Sequence, residues 1–243
     1  MPKVPTPARG QASDSVAQNS EFFSRDTYNH HAERLDSHAR IRQALSAELA
    51  GTGRLLDVGN GGVFEYDPAV AEELVAVDLF LDGSMSDDYP DNVAIRRGDA
   101  LDLREEEASF DVVLEAFLYH HLTGSRPADS VANTRRAIAE AARMLRPGGR
   151  LVIAESCIPR LLYPIERALF RPLRRLAATP LLGGHPATLQ LPIGVLLSLV
   201  AEQLSVERWV PIPLGRWVTQ FGRPFPAALT PVRAHLIVAR KAG

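Results

Sequence analysis

Residues 54–63, Arg-Leu-Leu-Asp-Val-Gly-Asn-Gly-Gly-Val, carry an apolar run straight into a carboxylate and then into closely spaced glycines. Such a run reads as a buried strand ending in a tight turn. Glycine lets the backbone turn sharply there and approach a ligand with no Cβ in the way. Twenty-one residues after Asp57 a second apolar run, Leu74 to Val77, ends on Asp78, and twenty-one further on Asp99 closes a third, Val93 to Arg97. Three acidic strand ends in step imply a parallel sheet with one ligand crossing its edge. An acid about 20 positions beyond a glycine turn is placed to accept hydrogen bonds from ribose hydroxyls, which makes this a nucleoside-cofactor turn.

The turn does not suit a nicotinamide dinucleotide. That site requires Gly-x-Gly-x-x-Gly with a helix N-terminus facing the pyrophosphate, whereas Phe64 holds the third glycine position. Asp57, two residues before the first glycine, would repel a pyrophosphate. A ligand with cationic groups would be accepted.

The remaining pattern alternates as a doubly wound sheet should. From Ser20 to Ala50 a helical spacing places Phe22, Phe23, Leu35, Ile41, Leu45 and Leu49 on an apolar side, and this helix is read as a cap over the ligand. Asp67-Pro68 reads as an N-cap and first-turn proline opening a short helix through Glu73. The segment from Asp82 to Asn92 is polar and turn-rich, and a loop or single turn is expected there. Phe110 to Phe117 is a fourth strand, nearly all apolar as in a sheet covered on both faces. Ser130 to Leu145 is an amphipathic helix that Pro147-Gly148-Gly149 stops before a fifth strand, Arg150 to Ala154; Val206–Ile212 and His235–Ala239 are a sixth and seventh.

As an ordered set, Asp57-x-Gly59-x-Gly61, Val75-Ala76-Val77-Asp78, Gly98-Asp99-Ala100, Phe110-Asp111-Val112-Val113 and Leu145-Arg146-Pro147-Gly148-Gly149-Arg150-Leu151 resemble the motifs of class I S-adenosylmethionine-dependent methyltransferases, over roughly residues 50 to 155. The resemblance implies a doubly wound, mostly parallel seven-stranded sheet of Rossmann-like form whose last strand inserts antiparallel. It also implies S-adenosylmethionine as cofactor, with Gly59 and Gly61 against its methionine part, Asp78 at the ribose and Asp99 by the adenine amino group, and with Asp57, Leu79 and Ala100 as further cofactor-binding residues. This chain departs from the family pattern at Val63, where a third glycine is common, and the first helix is expected to start differently.

At 243 residues and 46 % hydrophobic content the chain is long enough for one sizeable core, so residues 21–243 are read as a single domain. Its cofactor half is about 50–155 and its substrate-facing helical insertion about 156–204. Residues 1–20 read as a disordered extension. A formal net charge of −2 disfavours a nucleic-acid partner. One cysteine, Cys157, with no spanning or secretory segment, fits a cytoplasmic enzyme.

Segment 160–176 mixes large apolar residues with Arg160, Arg167, Arg171, Arg174 and Arg175. It suits a peripheral membrane contact, an amphiphilic substrate or an acidic carrier protein, and equally the solvated side of an ordinary helix pair. Prolines 164 and 172 argue against one straight helix. Candidate bases are His120 and His121, after the fourth strand, and His31, which shares a helix side with His38 and lies near Tyr28 and His30. A shared structural role is the competing reading for the His-His-Leu run. His185, Trp217, Gln220 and Arg223 are candidate acceptor-lining residues. No ligand spacing for a metal is present, no Gly-x-Ser-x-Gly elbow supports a hydrolase, and Cys157 reads as inert.

The sequence therefore points to methyl transfer onto a small or amphiphilic organic molecule, oxygen before nitrogen before carbon as acceptor atom. The alternatives are a cofactor-binding protein of the same fold with a non-methylating role, such as a cyclisation, and a non-catalytic interaction module.

Overall fold

The structure is a computed structural model and describes residues 36–61, 63–80, 89–177, 188–220 and 223–243. Along the chain these form α1 (Asp36–Leu49), β1 (Thr52–Val58), β2 (Ala71–Asp78), β3 (Val93–Arg97), β4 (Phe110–Ala116), α2 (Pro127–Met144) and β5 (Leu145–Cys157). There follow α3 (Tyr163–Ala177), α4 (Ile193–Ala201), β6 (Ser205–Ile212), β7 (Trp217–Gln220), β8 (Arg223–Pro226) and β9 (Arg233–Arg240). Seven strands make one sheet in the order β3-β2-β1-β4-β5-β9-β6. The first five are parallel, and β9 enters antiparallel between β5 and β6. The expected Rossmann-like sheet and its antiparallel last strand are both present.

The sheet forms because its central strands are apolar on both faces, which alternate residue by residue. Leu55, Leu74, Ala76, Val112, Leu114 and Val152 pack with Ile41, Leu45 and Leu49 of α1 on one face. Leu56, Val58, Val75, Val77, Val113 and Ile153 pack on the other with Ala137, Ile138 and Ala141 of α2 and Leu196, Leu199 and Val200 of α4. Helix ends are closed locally. Asp129 accepts the Arg126 amide at 3.0 Å at the start of α2, and the Thr52 hydroxyl donates to the Leu49 carbonyl at 2.7 Å at the end of α1.

Register decides what stands at the working edge. Val58 pairs with Val77 on one side and Glu115 on the other, and Glu115 pairs with Ile153. Asp57, Asp78, Glu115 and Glu155 thus gather at the carboxyl ends of adjacent parallel strands, where open α/β sheets bind ligands.

Three elements differ from the sequence reading. The helix expected through Glu73 is a single 3-10 turn, Pro68–Val70. Asp67 does cap it, accepting the Ala69 amide at 2.9 Å, but pairing with β1 draws residues 71 onward into β2. Strand pairing outweighed a local helix start. The stretch around Trp217, Gln220 and Arg223, read as a loop, is an antiparallel two-stranded ribbon, β7 with β8. Segment 163–177 is assigned as one helix despite its prolines: Pro164 sits in the first turn, where its missing N–H costs nothing, and Pro172 is inside. The amino-terminal part of the predicted capping helix, with Phe22, Phe23 and Leu35, lies outside the described residues, as does most of 82–92; the described part, α1, packs on the sheet face.

Candidate functional site

Gly59 and Gly61 both have positive φ, +82° and +60°, which only glycine adopts without strain. A Cβ on Gly59 would lie 2.7 Å from Cδ1 of Leu118, so a larger residue there would have to push that side chain aside; no described residue comes within 4 Å of a Cβ placed on Gly61. The Gly59 amide donates to the Val77 carbonyl at 2.8 Å, and the Gly98 amide to the Asp78 carbonyl at 3.0 Å, tying the ends of β1, β2 and β3 together.

Asp78 is the hub of this edge. One carboxylate oxygen accepts the Gly61 amide at 2.8 Å and the other the Phe80 amide at 2.7 Å. Burial pushes its pKa up, and the amides of Phe80, Gly61 and Leu79 pull it back by stabilising the anion. Three amides leave this carboxylate with acceptor capacity for a ligand hydroxyl, since its two oxygens offer about four lone-pair sites. Leu79 and Ala100 are half-buried, and Asp99 is exposed, its Oδ1 accepting the Leu101 amide at 2.9 Å.

Asp57 lies under the turn, nearly sealed from solvent. Its Oδ2 accepts the Tyr66 hydroxyl at 2.6 Å and the Asn60 amide nitrogen at 3.1 Å, while Oδ1 is buried without a hydrogen bond. Burial pushes this carboxyl up to about 7, against the opposing pull of Tyr66 and Asn60. Phe64 meets Tyr66 and Tyr89 edge-to-face, each at 5.8 Å, and walls this end.

A second cluster stands at the ends of β4 and β5. Glu155, 3 % exposed, accepts the backbone amides of Tyr119 at 2.8 Å and Ser156 at 2.6 Å, and its Oε1 is 2.7 Å from Nδ1 of His120. Glu115, 1 % exposed, accepts the Tyr119 hydroxyl with one oxygen; the other is buried without a hydrogen bond. Burial pushes Glu115 up to about 7, and Glu155 nearby adds to the rise. From α3, Glu166 reaches inward to accept the Gln190 amide at 2.8 Å; burial pushes it up to about 7, while the charge of His120 opposes the shift. Both histidines ride on a 3-10 turn, Tyr119–His121, entered through Phe117 at φ +53°, with ring centroids 4.1 Å apart.

Because Glu155 already accepts from two amides, the proton of the His120–Glu155 pair belongs on Nδ1, leaving Nε2 as the basic lone pair. Such an arrangement can take a proton from a ligand hydroxyl or amine.

Of the sequence candidates, the structure brings Asp57, Gly59, Gly61, Asp78, Leu79, Asp99, Ala100, His120 and His121 to one sheet edge. His31, Tyr28, His30 and His185 lie outside the described residues, as do the side chains of Gln220 and Arg223. His38 instead pairs with Glu65 at 2.9 Å. Cys157 is buried, its thiol pushed up to about 12, consistent with inertness. Among the described residues no group of three or more His, Cys, Asp or Glu is arranged to hold a metal. Sequence reasoning missed Tyr66, Glu115, Tyr119, Glu155 and Glu166. For Glu115 and Glu155 the signal was present: each is an acid that directly follows an apolar run near the end of its strand, as Asp78 does.

Residues 56–153 match the protein family described as "Methyltransferase domain". That match agrees with the resemblance to S-adenosylmethionine-dependent methyltransferases carried by the motifs between residues 50 and 155. Among curated proteins this chain is 30 % identical over 145 residues to 27-O-demethylrifamycin SV methyltransferase of Amycolatopsis mediterranei (strain S699), a match covering 52 % of this chain and 50 % of the other. It thus spans about half the length of that relative. Among solved structures it resembles the N-methyltransferase NodS from Bradyrhizobium japonicum in complex with S-adenosyl-L-homocysteine (TM-score 0.59, 17 % identity, 95 % of this chain and 100 % of that one). It also shares its fold with the [4+2]-cyclase SpnF (TM-score 0.56, 19 % identity, 84 % and 82 % covered).

Proposed function

We propose that this methyltransferase moves the methyl group of S-adenosylmethionine onto an oxygen of a small or amphiphilic organic acceptor, with His120 as general base. The observation that carries the reading is the His120–Glu155 pair, set on the same sheet edge as the glycine turn and joined to it through Leu118.

The edge fits the cofactor on its own geometry: no described residue comes within 4 Å of a Cβ placed on Gly61, and Asp78 retains acceptor capacity after binding its amides. Gly59 and Gly61 would admit the methionine part, Asp78 and Leu79 the ribose, and Asp99 and Ala100 the adenine, while Asp57 braces the turn from below. When bound, the cofactor supplies an electrophilic methyl carbon on a sulfonium. The protein's share is to hold the acceptor oxygen in line with it, since positioning supplies much of the rate of such a displacement. His120 Nε2 takes the hydroxyl proton as the new bond forms, and Glu155 steadies the resulting imidazolium. Oxygen is favoured over nitrogen, and carbon comes last; the name of the relative, 27-O-demethylrifamycin SV methyltransferase, supports the first place of oxygen.

On this reading 21–243 act as one domain, with 156–204 facing the acceptor. The catalytic partner is a small molecule, and no helix among the described residues is long and apolar enough to cross a membrane. The test is production of S-adenosylhomocysteine on an acceptor panel by wild type and by His120→Ala. Turnover that His120→Ala leaves intact refutes the base assignment. A second reading, a non-methylating reaction on the bound cofactor's fold, draws on the resemblance to SpnF; acceptor conversion without S-adenosylhomocysteine release would establish it.

A further inference from the structure

Helix α3 has three sides where an ordinary surface helix has two. Glu166 and Phe170 turn toward the protein, Phe170 being 2 % exposed. Ile165, Leu169 and Leu173 recur every fourth residue along a second side, 54 %, 46 % and 44 % exposed, and Leu161, 88 % exposed, stands in the turn just before the helix. Arg167, Arg171 and Arg175 follow at the same spacing along a third, all exposed, with Arg160 exposed just before the helix. Glu166 is the one acid between Arg160 and Ala177, and it points inward, so no acid of this segment stands on its outer sides to offset the positive charge. Arg160, Arg171 and Arg175 make no ion pair with any described residue.

We propose that α3 docks this protein on an anionic lipid surface, the aliphatic row entering the headgroup–acyl boundary and the arginines meeting lipid phosphates. The charge pattern selects this occupant. A row of large aliphatics left in water is unfavourable, and a cationic row across the helix from it gains only against a negative partner, the opposed apolar and basic sides an interfacial helix uses. The chain's own residues 1–35 offer no countercharge: Lys3, Arg9, Arg25 and Arg34 balance Asp14, Glu21, Asp26 and Glu33. Arginine stems also extend over apolar surface while their heads reach the phosphates. The inward side of the same helix carries Glu166 to the His120 cluster, so docking would bring a lipid-dissolved acceptor to the proposed catalytic edge. That last clause rests on the methyltransferase reading above; the docking does not.

The test is flotation of the full-length protein with vesicles of pure phosphatidylcholine and of phosphatidylcholine carrying one quarter phosphatidylglycerol, at about 0.05 M and about 0.5 M salt, where screening differs strongly. We expect partition onto the phosphatidylglycerol vesicles at low salt, at least tenfold weaker on pure phosphatidylcholine or at high salt. Both Ile165→Ser/Leu169→Ser and Arg171→Glu/Arg175→Glu should lower it at least tenfold while binding S-adenosylhomocysteine and melting as the wild type does. Absence of wild-type flotation, flotation indifferent to lipid charge, or unaltered flotation of both variants overturns the docking. A wild-type dimer that Ile165→Ser/Leu169→Ser dissolves overturns it too, in favour of a second copy on this face. Failure to bind S-adenosylhomocysteine would count against the cofactor reading alone.

Discussion

Asp78→Asn separates the contribution of one charge at the cofactor edge from that of shape. The wild-type carboxylate accepts the Gly61 amide at 2.8 Å through one oxygen and the Phe80 amide at 2.7 Å through the other. Asparagine offers an oxygen to only one of them and sets an NH₂ donor against the other N–H, and no rotation of the amide serves both. A hydrogen bond to a charged group contributes about 1.5–3 kcal/mol net, so the Gly61 turn should hold S-adenosylhomocysteine about tenfold to 150-fold less tightly. Isothermal titration of S-adenosylhomocysteine into both proteins reads this directly, with thermal melting to show that the variant is folded. The wild type adds a pH signature. Burial raises the Asp78 pKa, so acidification protonates the carboxyl and removes an acceptor; affinity should fall toward low pH in the wild type and lack that limb in Asp78→Asn. Binding by the variant within threefold of wild type at neutral pH would refute the view that Asp78 organises the turn.

Glu155→Gln should leave S-adenosylhomocysteine affinity intact but lower kcat by about 100-fold or more, the scale of general-base catalysis, and change the pH–rate profile, because the His120 tautomer is no longer enforced; an unchanged profile would make the pair structural. Glu115 titrates up at about 7 in the fold against 4.5 for the free group. The folded state therefore binds the proton more tightly, and stability is lost as pH rises from about 4.5 to 7. Glu115→Gln should flatten that slope in urea titrations by up to about 3 kcal/mol over this range, at 1.36 kcal/mol per pKa unit, and a slope equal to that of wild type would exclude it as the source. Gly59→Ala combines a positive φ with a Cβ 2.7 Å from Leu118, and should lower the melting temperature and abolish cofactor binding together; tight binding by a stable Gly59→Ala would disprove the close packing of the turn.

Much of the cofactor edge is legible in the sequence because it is encoded locally. Strands buried on both faces are continuous apolar runs, so β1 and β2 could be read with their acids; β3, the half-exposed edge strand, shows the bounds read for it from its short apolar start. Glycines needing positive φ leave the same kind of mark at 59 and 61. What was illegible is set by distant pairing. Asp67-Pro68 is a sound helix start, and it does cap a turn, but β1 claims Ala71 onward. Tyr66 becomes a partner of Asp57 only after the chain folds back nine residues to place its hydroxyl under the turn. Glu115 and Glu155 carry their meaning in register: each follows an apolar run, and only β4–β5 pairing shows that both flank the turn holding His120.

Fold and cofactor leave the chemistry open, since an N-methyltransferase and a [4+2]-cyclase share this sheet. Proton accounting narrows the choice. A cycloaddition joins its carbon atoms with no proton gained or lost, so it gives a site no reason to orient a base. Methylating a hydroxyl or an amine must discharge one proton for each methyl transferred, and at neutral pH a hydroxyl rarely sheds it without help. In this chain two buried carboxylates, a tyrosine and a histidine are linked at the edge beside the glycine turn. One of those carboxyls, Glu115, is pushed by burial to about 7, where a proton is given or taken at little cost. Burying such groups is unfavourable unless something uses them. A reaction that releases a proton at every turnover is such a use, and it is the ground on which oxygen or nitrogen methylation is preferred over a proton-neutral rearrangement.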